Sequence, residues 1–190
     1  ADATAGSATA NSTIVRTARR TGYPSGFAGL APTNDAFAAL LVLLCCLYFY
    51  RDSLSLFPTF IHAWTQSDRL AIAMNFQQNG FDFFHPATFN LSTKEGITQV
   101  DFPIHEYLVA IISSLSGVDI VSVFRTYILV YSIVGLFFLY QLALLLGASS
   151  LKSFFLSFFV FTLPFYAYYQ AGFLPSVPSF ANLFIGLFFI

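Results

Sequence analysis

Residues 120–146 (IVSVFRTYILVYSIVGLFFLYQLALLL) contain a single charge, Arg125, close to their start. About 20 predominantly apolar residues cross a bilayer as a helix, so this run is long enough to span and to tilt or project beyond. Within hydrocarbon every backbone N–H and C=O needs an internal partner, which leaves helices or closed barrels. Only 9% of the residues are charged and 57% are hydrophobic, against roughly 25% charged in soluble domains. The mean hydropathy is +0.72. The expected fold is an all-α, polytopic integral membrane protein.

A net charge of -1 and the lack of a basic stripe exclude a nucleic-acid partner. Cys45 and Cys46 are adjacent within an apolar run, where thiols behave as small hydrophobes.

Residues 1–35 are rich in Ala, Ser, Thr and Gly and lack apolar periodicity, which predicts a flexible tail. Arg16, Arg19 and Arg20 stand too far ahead of the apolar run for a cleaved signal peptide and read as a cytoplasmic retention signal. Residues 36–190 form the membrane domain, with spans expected at about 36–58, 120–146, 153–169 and 179–190. The first uses the apolar run 36–50, with 54–61 adding a turn or two. The third is kinked at Pro164. The fourth is cut short, and with no initiating Met the chain reads as the N-terminal part of something longer. Asp119 is placed to cap the second span through Ser122. Between the spans lie a long first loop, 59–119, a tight turn, 147–152, and a short loop, 170–178. Lys152 joins the tail's three arginines on one side, and Arg51, Arg69, Lys94 and Arg125 lie on the other. The basic count is level, and the cluster ahead of the first span places the long loop outside the cytoplasm.

Polar chemistry gathers at 64–107, in and around which lie all three histidines, His62, His85 and His105. Two surface helices are expected there. One follows Thr65, with Asp68 three residues on as an approximate capping box, and ends before Gly80. On it Asp68, Asn75 and Asn79 fall on one polar stripe. The other is opened by Pro103 and runs to about Ser116, with Glu106, Ala110 and Ser113 on one face and Ile104, Leu108, Ile111 and Leu115 on another. Both read as amphipathic helices lying on the membrane surface. Asp68 as a helix cap and Glu106 as a dipole partner are the bland readings. His85 before Pro86 has the place of a turn residue, and no histidine pair has metal-ligand spacing.

The matching stretches SDRLAIAMNFQQNGFDFFHP (67–86), DFPIHEYLVAIISSLSG (101–117) and FRTYILVYSIVGLFFLYQLALLLG (124–147) carry a resemblance. In order and spacing the chain resembles the GT-C superfamily of membrane glycosyltransferases, in the branch of protein O-mannosyltransferases and lipid A aminoarabinose transferases. The resemblance implies a bacterial inner (cell) membrane protein that moves a sugar from a polyprenyl-phosphate donor, with inversion, to a lipid, glycan or protein acceptor. Asp68 matches the family's first-loop acid and would be the catalytic base. Arg125 and Lys94 would contact the donor phosphate. Arg69, Asn75, His85, Asp101, His105, Glu106 and Gln170 are the further substrate-binding candidates. The family's usual Asp-Glu pair is Asp68-Arg69 here, and residues 168–178 hold no carboxylate. No metal-ligand set is assigned, although some branches use a divalent metal. The alternatives are a non-catalytic GT-C-like membrane assembly protein and a transporter subunit; the latter would show ionisable residues within its spans.

Overall fold

The computed structural model describes residues 34–90, 94–98 and 100–190. The arginine cluster of the tail lies outside the described residues. The chain divides into two compact units, Ala1–Phe37 and Ala38–Ile190, and the second holds all of the packing and the candidate site described below. Among the described residues the fold is all-helical: about 70% is helix with no strand, and Ala87 and Ile97 form an isolated antiparallel bridge.

Helix α1, Asn34–Tyr50, stops earlier than the expected first span. After Arg51 N–H donates to Leu47 O, the chain turns through Ser53 and Leu56. Pro58 supplies no N–H and disfavours helical backbone at Phe57, so 54–61 adds no helical turn. Helix α2, Ala63–Asn79, starts two residues before the expected cap. Thr65 therefore lies in its first turn, and the cap position belongs to His62, in left-handed backbone with no side-chain cap. Gly80 closes α2 at φ 103°, the conformation glycine adopts without a Cβ penalty.

Helix α3, Ile104–Ser116, takes Pro103 as its cap residue and ends at left-handed Gly117. Helix α4, Ile120–Leu145, begins where Asp119 Oδ2 accepts from Ser122 N–H at 3.0 Å, the local cap that the sequence indicates. By length and composition α4 is the one helix among the described residues long and apolar enough to cross a membrane. The expected third span is two helices, α5, Ser150–Thr162, and α6, Pro164–Tyr169. Leu163, pushed out of the helical region by the following proline, separates them at ψ 128°. Helix α7, Ser176–Phe189, begins ahead of Pro178, which fits the first turn where an N–H has no helical partner. The loop before it is accordingly 170–175.

Helix α4 is the axis, packed against α7, α5, α3 and α2, while α2 also packs on α3. Its inward residues, among them Phe124, Ile128 and Leu136, meet Phe173 and Val177 from the α7 side and Leu70 and Val109 from the α2–α3 side. A Cβ on Gly135 would lie 2.6 Å from Ala181 Cβ, so glycine is what lets α4 and α7 approach this closely. The outward faces are apolar as well: Leu44 and Phe49 on α1, Phe155 and Phe159 on α5, and Leu183 and Leu187 on α7 are exposed.

Candidate functional site

A groove of about 430 Å³ opens beside α2, lined by Thr65, Asp68, Arg69 and Ile72 of that helix and by Val100 and Asp101 ahead of α3. Asp68 is exposed at its edge. Arg69 spans from α2 toward α3, its Nη2 donating to Asp101 Oδ2 at 2.9 Å and its Nη1 to Glu106 Oε1 at 3.2 Å. The guanidinium thus bridges two acids that differ sharply in environment, Asp101 being 89% exposed and Glu106 1%.

Glu106 is buried because it shares the inner face of α3 with Val109, Ala110 and Ser113. The faces of α3 are inverted relative to a water-soluble helix: the glutamate and serine point inward, and Ile104, Leu108 and Leu115 point out. Glu106 Oε2 has no hydrogen-bond partner. Burial pushes the Glu106 carboxyl above its ordinary range, against the opposing pull of the backbone N–H at the helix start and of Arg69. His105 lies alongside, its Nδ1 2.9 Å from the Tyr127 hydroxyl. Burial first and the Arg69 charge second hold its imidazole below the usual histidine value, which favours the neutral ring.

The remaining candidates lie elsewhere. Asn75 is buried and bonded to Ala71 O and Asn79, so the expected polar stripe divides: Asp68 and Asn79 are exposed, and Asn75 faces the helix packing. His85 pairs with Asp82 at 2.7 Å in an exposed turn, and that hydrogen bond draws the Asp82 carboxyl below its ordinary value. Lys94 is exposed in a single 3-10 turn, Lys94–Gly96. Arg125 is buried and far from free. Its Nε donates to Leu56 O at 2.6 Å, Nη1 to Ala171 O at 2.6 Å and Nη2 to Phe57 O at 3.3 Å, with the Phe173 ring 4.7 Å away. It does not lie among the groove residues. Gln170 is completely buried and bonds Ser132 Oγ, Phe161 O and the Tyr50 hydroxyl, tying together α1, α4 and α5.

Thr65, Ile72 and Val100 border the groove with no signal in the sequence. Arg69 meets its acids across separations of 32 and 37 residues, and no local pattern encodes that. Among the described residues no three of His, Cys, Asp and Glu converge so as to hold a metal ion. Where Asp68 and Asp101 share the groove, the positive charge between α2 and the start of α3 is Arg69. The residues do not fit a divalent metal there, and no step is derived through one.

Chemically the site offers a solvent-open carboxylate, a guanidinium held between two other acids, and a buried acid with one unbonded oxygen. Comparison of the chain with protein-family models, with curated proteins and with solved structures found no match.

Proposed function

We propose that this chain is part of a GT-C-like inverting glycosyltransferase that takes a sugar from a polyprenyl-phosphate donor at the extracytoplasmic membrane face, with Asp68 as the general base. The observation that carries the reading is Asp68 itself, an exposed carboxylate at the edge of a groove, on a helix that packs against one with an apolar outer face. A lipid-phosphate donor brings its own leaving group. The protein then needs chiefly a base for the acceptor hydroxyl and a site that orients the two substrates. In-line attack by the hydroxyl, with its proton passing to Asp68, forms the new glycosidic bond as the bond to phosphate breaks, inverting the anomeric carbon. Arg69, held by Asp101 and Glu106, fixes the groove wall beside Asp68.

On this reading α1, α5 with α6, and α7 join α4 in the membrane. The support is their exposed Leu and Phe side chains, which cost little against lipid and much against water. The loop between α1 and α4 then carries the site on the outer side.

Replacing Asp68 by Asn in the full-length protein tests the role. Loss of sugar transfer by about 10²-fold or more, at normal expression, is expected for a general base. Undiminished transfer would remove Asp68 from the mechanism. One observation favours a non-catalytic GT-C-like assembly protein as the second reading: Arg69 and Arg125 are both engaged by the chain's own acids and carbonyls. An Asp68→Asn chain that still restores growth and glycosylation in cells lacking the wild-type protein would support it.

A further inference from the structure

The segment between α1 and α2 is built the wrong way round for water. Six of its backbone carbonyls are taken up by the protein. Leu56 O and Phe57 O accept from Arg125, Thr59 O from the Tyr168 hydroxyl, and Ile61 O from Gln66 Nε2. Phe60 O and His62 O accept from the Ala63 and Gln66 amides. Its large side chains are left outside: Phe57 is 64% exposed, Phe60 87%, Ile61 63% and Trp64 71%. Phe60 and His62 both hold left-handed backbone, at φ 64° and 56°, a conformation that costs a non-glycine residue energy and persists only where the surroundings impose it. Here Tyr168, Tyr169 and Gln66 impose it, with His62 Nδ1 bonded to the Tyr169 hydroxyl.

We infer that residues 56–64 are a membrane-interface anchor, whose partner is the phospholipid surface that takes up Phe57, Phe60, Ile61 and Trp64. The inference rests on the membrane reading above and adds the depth and identity of the inserted segment. Apolar side chains enter the acyl boundary most cheaply where the carbonyls beside them are already satisfied, as those of Leu56, Phe57, Thr59, Phe60, Ile61 and His62 are. The N–H groups of Thr59, Phe60, Ile61 and His62 donate to nothing among the described residues, which suits headgroup depth, where phosphate oxygens and water accept them. The patch continues onto the exposed Phe165 of α6, the helix whose Tyr168 grips Thr59 and Ile61. Trp64, with an amphipathic indole ring, is of the type that prefers this depth, and Phe57, Phe60 and Ile61 supply apolar area beside it.

Trp64 is the single tryptophan of these 190 residues, so, with any tryptophan elsewhere in the full-length protein replaced by Phe, it reports on the segment without labelling. The full chain is reconstituted in phosphatidylcholine–phosphatidylglycerol vesicles containing lipid brominated either near the glycerol end of its acyl chains or near the bilayer midplane. The expected result is blue-shifted emission, quenched at least about twofold more by the shallow bromine than by the deep one. Phe60→Asn, whose side chain tolerates left-handed backbone, should keep the fold and lower the shallow quenching. Trp64 that acrylamide quenches freely and neither lipid quenches, in a chain that resists alkaline carbonate, would overturn the anchor and leave the membrane reading standing. Stronger quenching by the midplane lipid would overturn it too, because the segment would then run through the bilayer. Release of the chain by carbonate would overturn both.

Discussion

Arg69 Nη1 and Glu106 Oε1 lie 3.2 Å apart where α2 meets α3, and the second oxygen of the same carboxylate is buried without a partner. A buried ion pair repays its desolvation only when the remaining lone pairs are also satisfied. This one is half-satisfied, and that is why burial outweighs Arg69 in setting the Glu106 proton affinity.

The folded protein therefore holds the Glu106 proton more tightly than the unfolded chain does. Between the ordinary carboxylate value of 4.5 and the raised folded one, the native state binds more protons, so stability falls as pH rises through that window. Thermal unfolding in detergent at a series of pH values rising from 4.5 should show this decline, and Glu106→Gln should flatten it. Arg69→Met should be tolerated at pH below that window and cost about 3 kcal/mol above it, where the buried carboxylate loses its counter-ion.

Arg125→Lys is not a conservative change. A lysine cannot present the planar fork that reaches Leu56 O, Phe57 O and Ala171 O together. A loss of about 2–4 kcal/mol is expected. Hydrogen exchange should quicken in 56–62 and 170–173 while the amides of α3 stay protected.

Gly135→Ala should cost about 1–3 kcal/mol by driving a methyl into Ala181, and Ala181→Gly in the same chain should recover most of it. Unfolding midpoints of the two single variants and the double variant decide this. Additive losses would show that α4 and α7 do not meet at these residues.

Gln170→Leu separates structure from chemistry. It removes the bonds to Tyr50, Ser132 and Phe161 and should lower stability by about 1–3 kcal/mol. Sugar transfer per folded molecule should not change, in contrast to Asp68→Asn.

Elements with local signals were legible in the sequence. Gly80 and Gly117 end their helices, Pro103 precedes α3, and Asp119 caps α4 through Ser122, each within a few residues. Where a neighbouring proline competes with an apolar run, hydrophobicity alone misleads: Pro58 stops the chain beyond α1, whereas the break between α5 and α6 falls at Pro164, where the sequence places a kink. The face of α3 that carries Glu106, Ala110 and Ser113 could be drawn from spacing, but not that it turns inward. That depends on α2, which offers Arg69 at just that height. Arg125 is a phosphate-contact candidate by its place in the family order, and Gln170 a further substrate-binding candidate. Their partners are backbone carbonyls and hydroxyls brought in from distant segments, which no window of sequence displays.

The partners of Arg125 lie on both sides of it along the chain, at Leu56 and Phe57 before it and at Ala171 well after it. In order of synthesis, two of the carbonyls that seat the guanidinium of α4 precede it and the third follows it by 46 residues. The early pair lets the helix enter its place with a charge near one end; the late carbonyl, arriving with the turn after α6, completes the seat. A chain stopped short of residue 171 would lack the Ala171 carbonyl and leave one arm of the buried guanidinium without its acceptor, so the seat of α4 is complete only once the turn after α6 is in place.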